Sequence, residues 1–203
     1  MDKKNEYDVV IVGAGIAGAP TALALSQAGL KTLVIEVNKH PRFAIGESTV
    51  PGTTLIFEQI GRKWNIPELI DFTRYVQSEK CTPPLADFPK THFWFGLHEE
   101  GKELKPANEL TVETLDPPVG PDTHIIREKM DAYLVSLFPK YKVDYSDLTK
   151  LEKFRRDENK MCHLVLNSQE TGEIRTVSCR FVVDATGHSA FFSKKFEIGR
   201  AHV

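Results

Sequence analysis

Cysteine is scarce in this sequence: only Cys81, Cys162 and Cys179 occur among 203 residues, and no two of them form a C-x-x-C pair. We therefore expect reduced structural thiols, no metal site and a cytoplasmic protein. Runs of about 18 apolar residues are also lacking, which argues against a membrane partner. The formal net charge is only −2, with basic residues interspersed among acidic ones, and this argues against a nucleic-acid partner.

What the sequence does contain, close to its first residue, is the pattern of a strand–helix–strand unit. Residues 7–12 and 31–36 are short apolar runs rich in β-branched residues, as expected of buried parallel strands. Between them, residues 16–28 carry small residues and leucines at helical spacing. The order strand, glycine-rich turn, helix, strand predicts a βαβ unit.

The turn of this unit, G-A-G-I-A-G at 13–18, is typical of dinucleotide-binding proteins. Gly13 permits the tight turn, Gly15 lets the backbone approach a pyrophosphate, and Gly18 lets helix and strand pack closely. Glu36 ends the second strand, where a carboxylate accepts hydrogen bonds from ribose hydroxyls. Because a carboxylate there disfavours a 2′-phosphate, the turn predicts FAD or NAD in preference to NADP.

The remainder of the sequence predicts further helices, together with strands that pair in parallel and antiparallel orientation. In chain order we expect a helix at 52–62 after Pro51, a strand at 91–97, a loop-rich stretch at 105–122 and a helix at 127–138. Residues 153–187 alternate, turn and alternate again, which predicts an antiparallel excursion that returns to a parallel sheet. The expected fold class is α/β: a Rossmann-like domain with a parallel sheet, an antiparallel β-meander and partial substrate-domain elements.

Four segments together carry a resemblance to a known family. They are G-A-G-I-A-G with Glu36, H-P-R-F-A-I-G-E-S-T-V-P-G at 40–52, I-I-R-E-K-M-D-A-Y-L at 125–134 and F-V-V-D-A-T-G-H-S-A-F-F at 181–192. In this order the sequence resembles the FAD-dependent oxidoreductases related to p-hydroxybenzoate hydroxylase, and among them the flavin-dependent halogenases. The resemblance implies FAD as cofactor, a FAD-binding domain made of 1–80 and 125–192, and a partial substrate-side insertion at 81–124.

The resemblance also implies which residues contact FAD. They are Gly13, Gly15, Ile16, Ala17, Gly18, Glu36, Arg42, Gly46, Glu47, Ser48, Arg127, Asp184 and Gly187. The charged members have structural alternatives: Arg42 as a solvated loop charge and Glu47 as a helix cap. Arg127 either reaches the phosphate–ribityl side of the flavin or pairs with Asp131 four residues later. Asp184 is expected to fix loop geometry in preference to doing chemistry.

In the halogenases that this sequence resembles, reduced FAD and oxygen give a flavin hydroperoxide, halide captures its distal oxygen, and a lysine relays hypohalous acid to a small, electron-rich aromatic substrate. Two candidates for that lysine are Lys90, before an aromatic strand, and Lys80 in S-E-K-C. The chain contains a single G-x-G-x-x-G, so the resemblance implies reduction by transient NAD(P)H or by a separate flavin reductase. An aromatic monooxygenase, an isoprenoid-lipid reductase and an inactive FAD-binding fragment are the alternative functions.

The aromatic strand has two interpretations of its own. Phe93, Trp94 and Phe95 either line an aromatic substrate pocket or pack a sheet, with Trp94 on the face opposite to the two phenylalanines.

The last six residues, I-G-R-A-H-V at 198–203, back-translate to a sequence that resembles a common sequencing adapter. We therefore expect this tail to be non-native and the natural chain to continue beyond Glu197.

Overall fold

The computed structural model of the protein describes residues 5–71, 73–81, 84–113 and 121–199. The chain divides into two compact units. The parallel-sheet unit comprises residues 1–44 and 127–203, and the insert unit comprises residues 45–126. Within the described ranges, no helix combines the length and the apolar character needed to cross a membrane.

Strands and helices follow one another along both units. In chain order the strands are β1 (Glu6–Val12), β2 (Thr32–Ile35), β3 (Ala86–Lys90), β4 (His92–Gly96), β5 (Glu109–Glu113), β6 (Asp122–Ile125), β7 (Asp144–Ser146), β8 (Thr149–Arg156), β9 (Cys162–Ser168) and β10 (Ile174–Asp184). The α-helices are α1 (Gly18–Gln27), α2 (Pro51–Lys63), α3 (Glu68–Asp71), α4 (Tyr75–Ser78), α5 (Arg127–Ser136) and α6 (Phe191–Lys195). Two short 3₁₀ helices cover Pro106–Asn108 and Gly187–Ser189.

The parallel-sheet unit contains a six-stranded sheet in the order β7-β2-β1-β10-β9-β8. The pairs β7–β2, β2–β1 and β1–β10 are parallel, whereas β10–β9 and β9–β8 are antiparallel. A parallel sheet therefore continues into an antiparallel meander, which confirms the predicted fold class.

The central strands of this sheet are buried on both faces. Val10 and Ile11 of β1 and Val34 of β2 are fully buried, and so is Leu23 of the covering helix α1. Full burial of each such side chain stabilises the fold by roughly 1.5–3 kcal/mol. Burial on both faces explains why the sequence of these strands is a continuous apolar run and not an alternating one.

The insert unit is built from smaller pieces. Helix α2 begins with Pro51 in its first turn, as predicted. Strand β3 pairs antiparallel with β6, and β4 pairs antiparallel with β5. These two-stranded sheets leave large apolar side chains exposed, since Phe88, Trp94 and Phe95 are each more than half accessible to solvent.

One expectation for this unit is wrong. The stretch 105–122 was expected to be loop-rich, but it contains β5 and the first residue of β6. Strand β5 pairs with β4, and its E-L-T-V-E sequence has the alternation and β-branched residues that such a pair needs. Residues 114–120 of that stretch lie outside the described residues.

The other predicted helices and strands are confirmed. Most ends are displaced by one or two residues, but β8 begins at Thr149, four residues before the predicted start of the antiparallel excursion. The predicted domain boundary at residue 80 falls inside the insert unit, so the functional division into 1–80 with 125–192 and 81–124 stays a prediction. Of the suspected non-native tail, Ile198 and Gly199 follow α6, and residues 200–203 lie outside the described residues.

Candidate functional site

The glycine-rich turn joins β1 to α1 with no room for side chains at two of its glycines. Gly13 has a φ of 107°, and a Cβ atom there would overlap the carbonyl group of Ala185. A Cβ atom on Gly18 would overlap the carbonyl oxygen of Gly13. The close packing predicted for Gly18 is therefore present, because only glycine lets the helix begin so near the end of β1.

Gly15 is different, since the space beside it is occupied by charged groups. A Cβ atom there would lie 3.4 Å from Nη2 of Arg42 and 3.5 Å from Nη2 of Arg127. Ile16 and Ala17 complete the turn, and the N-cap residue Ala17 makes no side-chain cap to the first turn of α1. Oδ2 of Asp131 would lie 3.7 Å from the same Cβ atom, so the position has mixed charge. These groups form a cradle, of which the two guanidinium groups and the helix N-terminus are the parts suited to an anion.

Glu36 connects the glycine turn to the end of β2. Its side chain is only 4% exposed, and its Oε2 accepts a hydrogen bond of 2.9 Å from the backbone N–H of Ala14. Its Oε1 accepts a second bond of 3.0 Å from the N–H of Asn38. Arg42 Nη2 lies 3.6 Å from Oε2, so the predicted ribose-binding carboxylate is held in one orientation. Arg42 is thus paired with Glu36, which is different from a solvated loop charge.

Arg127 and Asp131 form a buried, two-point ion pair on α5. Arg127 Nε donates to Asp131 Oδ1 at 3.0 Å and Nη2 donates to Oδ2 at 2.9 Å, while Asp131 is fully buried. The pairing given above as an alternative is therefore present. It is compatible with a cofactor contact, because the same Nη2 atom lies beside Gly15.

Asp184 fixes the turn that follows β10. Its Oδ1 accepts bonds from the backbone N–H and the hydroxyl of Thr186, and its Oδ2 accepts one from the N–H of Phe192. Burial raises the pKa of Asp184, but these hydrogen bonds outweigh burial and lower it. Gly187 continues the turn with a φ of 59°. The carboxylate thus maintains loop geometry, in line with the role expected for it.

A cavity of about 330 Å³ opens where β1 and β2 end. Its lining includes the predicted residues Gly13, Glu36 and Arg42. Lys150 and Phe191 also line it and were not predicted. Phe191 belongs to one of the four motifs, whereas Lys150 is one of several charged residues in an alternating strand and carries no signal in the sequence.

Buried polar atoms without partners lie close to this cradle. Among the described residues, Nε of Arg42 and both ring nitrogens of His40 have no hydrogen-bond partner. Burial, followed by the nearby charge of Arg42, lowers the pKa of His40. Since buried polar groups without partners are costly, these atoms fit a bound polar ligand such as a dinucleotide. Sequence reasoning missed His40, although it opens the H-P-R-F segment.

The G-E-S segment belongs to the insert unit. Gly46 has a φ of 94°. The backbone carbonyl of Glu47 accepts a bond from Ile125, while its side chain is exposed. Glu47 is not a helix cap, because Val50 occupies the N-cap of α2. Ser48 forms an isolated antiparallel bridge with His124, which fixes it beside β6.

The two candidate lysines differ sharply in their surroundings. Lys90 is 7% exposed, and its Nζ donates to Ser48 Oγ at 2.8 Å and to the carbonyl of Thr49 at 2.6 Å. The same ammonium lies 3.7 Å from the centre of the Phe93 ring. Lys80 follows α4 and is exposed. The structure therefore brings Lys90, and not Lys80, to the predicted serine.

Trp94 and its neighbours alternate as expected of a strand. The rings of Phe93 and Phe95 stack with centroids 6.4 Å apart, so they share a face. Trp94 Nε1 donates to Glu109 across the β4–β5 pair at 3.1 Å. Whether these aromatic residues line a substrate pocket stays a prediction.

Comparison with known families identifies the fold and its cofactor. The family model described as FAD binding domain matches residues 6–201. The chain belongs to the FAD binding domain family. FAD is therefore the cofactor, as predicted.

Curated relatives of this FAD-binding chain include halogenases. Monodechloroaminopyrrolnitrin halogenase PrnC of Pseudomonas fluorescens is 28% identical over 194 residues, which are 96% of this chain and 33% of that protein. Tetracycline 7-halogenase of Kitasatospora aureofaciens is 29% identical over 181 residues, or 89% of this chain and 31% of that protein. The resemblance to flavin-dependent halogenases is thus confirmed. The chain spans about a third of the length of these relatives.

Solved structures share its fold. Halogenase PltM in complex with phloroglucinol and FAD superimposes with a TM-score of 0.80 at 24% identity, over 94% of this chain and 36% of that chain. The chondrochloren halogenase CndH gives a TM-score of 0.67 at 20% identity, over 89% of this chain and 37% of that one. At these identities the likeness establishes the fold.

Proposed function

We propose that this chain is the FAD-binding part of a flavin-dependent halogenase, an oxidoreductase that acts on a small, electron-rich aromatic molecule. The observation that carries the proposal is Lys90, a buried ammonium held by the serine of the G-E-S motif. Halogenases among the curated relatives support the same reaction class.

The cradle of the parallel-sheet unit is the proposed binding site for the adenosine diphosphate half of FAD. The backbone at 13–18, together with Arg42 and Arg127, would hold the pyrophosphate, and Glu36 would hold the ribose. The unpartnered Nε of Arg42 supports this assignment, because a bound phosphate would satisfy it. In the insert unit, Gly46, Glu47 and Ser48 are the proposed contacts of the flavin. Bound and reduced, FAD would supply the activation of oxygen that oxidises halide.

Lys90 is the proposed group that presents the oxidised halogen to the substrate. Its two acceptors, Ser48 Oγ and the carbonyl of Thr49, fix the position of Nζ. Burial lowers the pKa of Lys90, and the charge of Asp122 acts against that effect. A desolvated amine of this kind releases and recovers a proton at Nζ more readily than a surface lysine does.

The supply of electrons and the location are further proposals. We propose that transient NAD(P)H or a separate flavin reductase reduces FAD, since the sequence contains a single G-x-G-x-x-G. We propose a cytoplasmic location, which the free state of Cys81, Cys162 and Cys179 supports.

A bromination assay tests the proposed function, and it uses the protein as its source encodes it. Reduced FAD, oxygen, bromide and a panel of indoles and phenols are incubated with protein, and the products are identified by mass spectrometry. We expect a brominated product that Lys90→Ala abolishes and the matched control Lys80→Ala retains. FAD binding should be equal in both variants, because neither lysine belongs to the cradle.

Two outcomes would contradict the proposal. A hydroxylated product would identify an aromatic monooxygenase, for which the lysine is dispensable. Flavin oxidation with release of peroxide and no bromination would favour an isoprenoid-lipid reductase or an inactive FAD-binding fragment.

A further inference from the structure

Asp122, the first residue of β6, carries a buried carboxylate with too few hydrogen bonds. It is 3% exposed, and its Oδ1 accepts a bond of 3.1 Å from the hydroxyl of Thr54. That hydroxyl has one proton and shares it with the carbonyl of Thr73, also at 3.1 Å. Oδ2 is buried and has no partner among the described residues. A buried carboxylate in this condition needs a compensating positive charge.

Lys90 stands directly across the strand pair from Asp122. The register of β3 and β6 places these two residues opposite each other, so their side chains leave the same face. Both are buried, and both lie in the insert unit. Asp122 is the charged group whose field acts on Lys90 against the effect of burial.

The groups that contact the Lys90 ammonium in the described part of the insert unit include neutral ones. Ser48, Thr49 and Phe93 contact its ammonium and are neutral. His124 lies two residues beyond Asp122 on the same face of β6, opposite Phe88. Glu47, which precedes Ser48, has an exposed side chain. Lys90 and Asp122 are thus two buried, oppositely charged residues that face each other across β3 and β6.

We propose that Asp122 is a positioning residue for Lys90: its carboxylate, anchored by Thr54, keeps the Lys90 side chain charged and directed toward Ser48 and Thr49. This inference deepens the proposed function, since it rests on Lys90 as the reactive lysine. In this role Asp122 acts through that lysine.

The test observes Lys90 itself and needs no turnover. In the 203-residue chain labelled with ¹³C-lysine, the Cε signal of Lys90 is assigned through its loss in Lys90→Arg and is then followed against pH. We expect the titration midpoint of Lys90 to move to lower pH in Asp122→Asn, because the isosteric amide removes the negative charge. Asp122→Glu should restore it. The matched control, Asp71→Asn, removes a half-buried carboxylate of the same unit and should leave the midpoint unchanged.

A second measurement covers the case in which Asp122→Asn fails to fold. In the unsubstituted chain, the Lys90 Cε signal should show an additional inflection at the pH where the Asp122 carboxyl carbon titrates. A Lys90 midpoint that is the same with and without the Asp122 charge, or the lack of that inflection, would overturn the proposal. Halogenation that survives Lys90→Ala would instead defeat the proposed function and leave the measured coupling intact, so the two failures are distinguishable.

Discussion

The two units of this chain bury charge in opposite ways. In the parallel-sheet unit, Glu36 accepts two backbone N–H bonds and Asp131 forms a two-point ion pair with Arg127. In the insert unit, Lys90 donates to two neutral oxygen atoms, and one carboxylate oxygen of Asp122 has no partner within the part of the chain that the structure describes. The buried carboxylates beside the glycine turn are thus paired, whereas among the described residues Asp122, beside the lysine, keeps one oxygen without a partner.

The difference corresponds to two kinds of task. A cofactor cradle has to keep its shape whether or not the ligand is bound, so its charged groups are fixed by bonds within the protein. A reactive lysine needs a perturbed proton affinity, which desolvation provides and which the charge of a neighbouring carboxylate moderates. The core of the parallel-sheet unit supports the first task, and the small antiparallel pairs of the insert unit are sufficient for the second.

Removing the carboxylate of Asp131 should have the largest effect, because it leaves a buried charge of the parallel-sheet unit unpaired. The Asp131→Ala variant leaves the guanidinium of Arg127, which is 8% exposed, without its buried carboxylate. We expect the free energy of unfolding in urea to fall by about 3–5 kcal/mol. The double variant Arg127→Met with Asp131→Leu should regain much of this loss, since neither charge is then left unpaired. A loss below about 1 kcal/mol for the single variant would show that the pair is not needed for stability.

Alanine at two glycines, the first residue of α1 and the second residue of α2, compares the first turn of a helix in each unit. Gly18→Ala should destabilise the chain by about 3 kcal/mol, because its Cβ atom would overlap the carbonyl oxygen of Gly13. Gly52→Ala places its Cβ atom in open space and should stabilise the chain by up to about 1 kcal/mol. Urea unfolding of both variants measures the difference. Equal effects would mean that the glycine turn relaxes to admit a side chain.

Replacing the glutamate at the end of β2 should weaken FAD binding without unfolding the protein. We expect Glu36→Gln to reduce FAD affinity by about tenfold, near 1.4 kcal/mol, because an amide is a weaker acceptor for ribose hydroxyls and cannot pair with Arg42. The matched control is Glu58→Gln in the insert unit, which removes a carboxylate that pairs with Arg62. Flavin fluorescence titration follows both. If the FAD affinity of the Glu36→Gln variant is unchanged, Glu36 does not bind the ribose.

The sequence predicts the two units unequally well. β1, the glycine turn and β2 could be predicted because their signals, an apolar run and close-packed glycines, lie within a few residues of one another. β5 was missed because its alternating E-L-T-V-E run is only five residues long, and its pairing with β4 across a loop cannot be read from the sequence. The aromatic strand that follows it made Lys90 a candidate, but its hydrogen bonds to Ser48 and Thr49, about forty residues earlier, could not be predicted. Asp122 and Thr54 escaped notice because only the fold brings them together.

The smallest expected effects concern how each unit responds to acid. In the parallel-sheet unit the pKa of Asp184 is lowered, so its ionised form stabilises the fold. That contribution is complete above the ordinary aspartate value of 3.8 and is lost as pH falls through the lower folded pKa. In the insert unit, burial and then Glu68 raise the pKa of Asp71. Its ionisation therefore destabilises the fold increasingly as pH rises from 3.8 through the higher folded pKa.

Asparagine at each position should therefore change stability with opposite sign at neutral pH. Asp184→Asn loses a carboxylate oxygen that accepts from the N–H of Phe192, so this variant should be less stable than the unsubstituted chain at pH 7 and should approach it in acid. Asp71→Asn removes a half-buried charge, so it should be slightly more stable at pH 7, with the difference also vanishing in acid. Urea unfolding between pH 3 and pH 8 measures both curves. If both variants differ from the unsubstituted chain with the same sign at neutral pH, the two units do not treat buried carboxylates differently. The contrast between the paired carboxylates of the cradle and the partly unpaired carboxylate beside Lys90 would then be confined to Asp122.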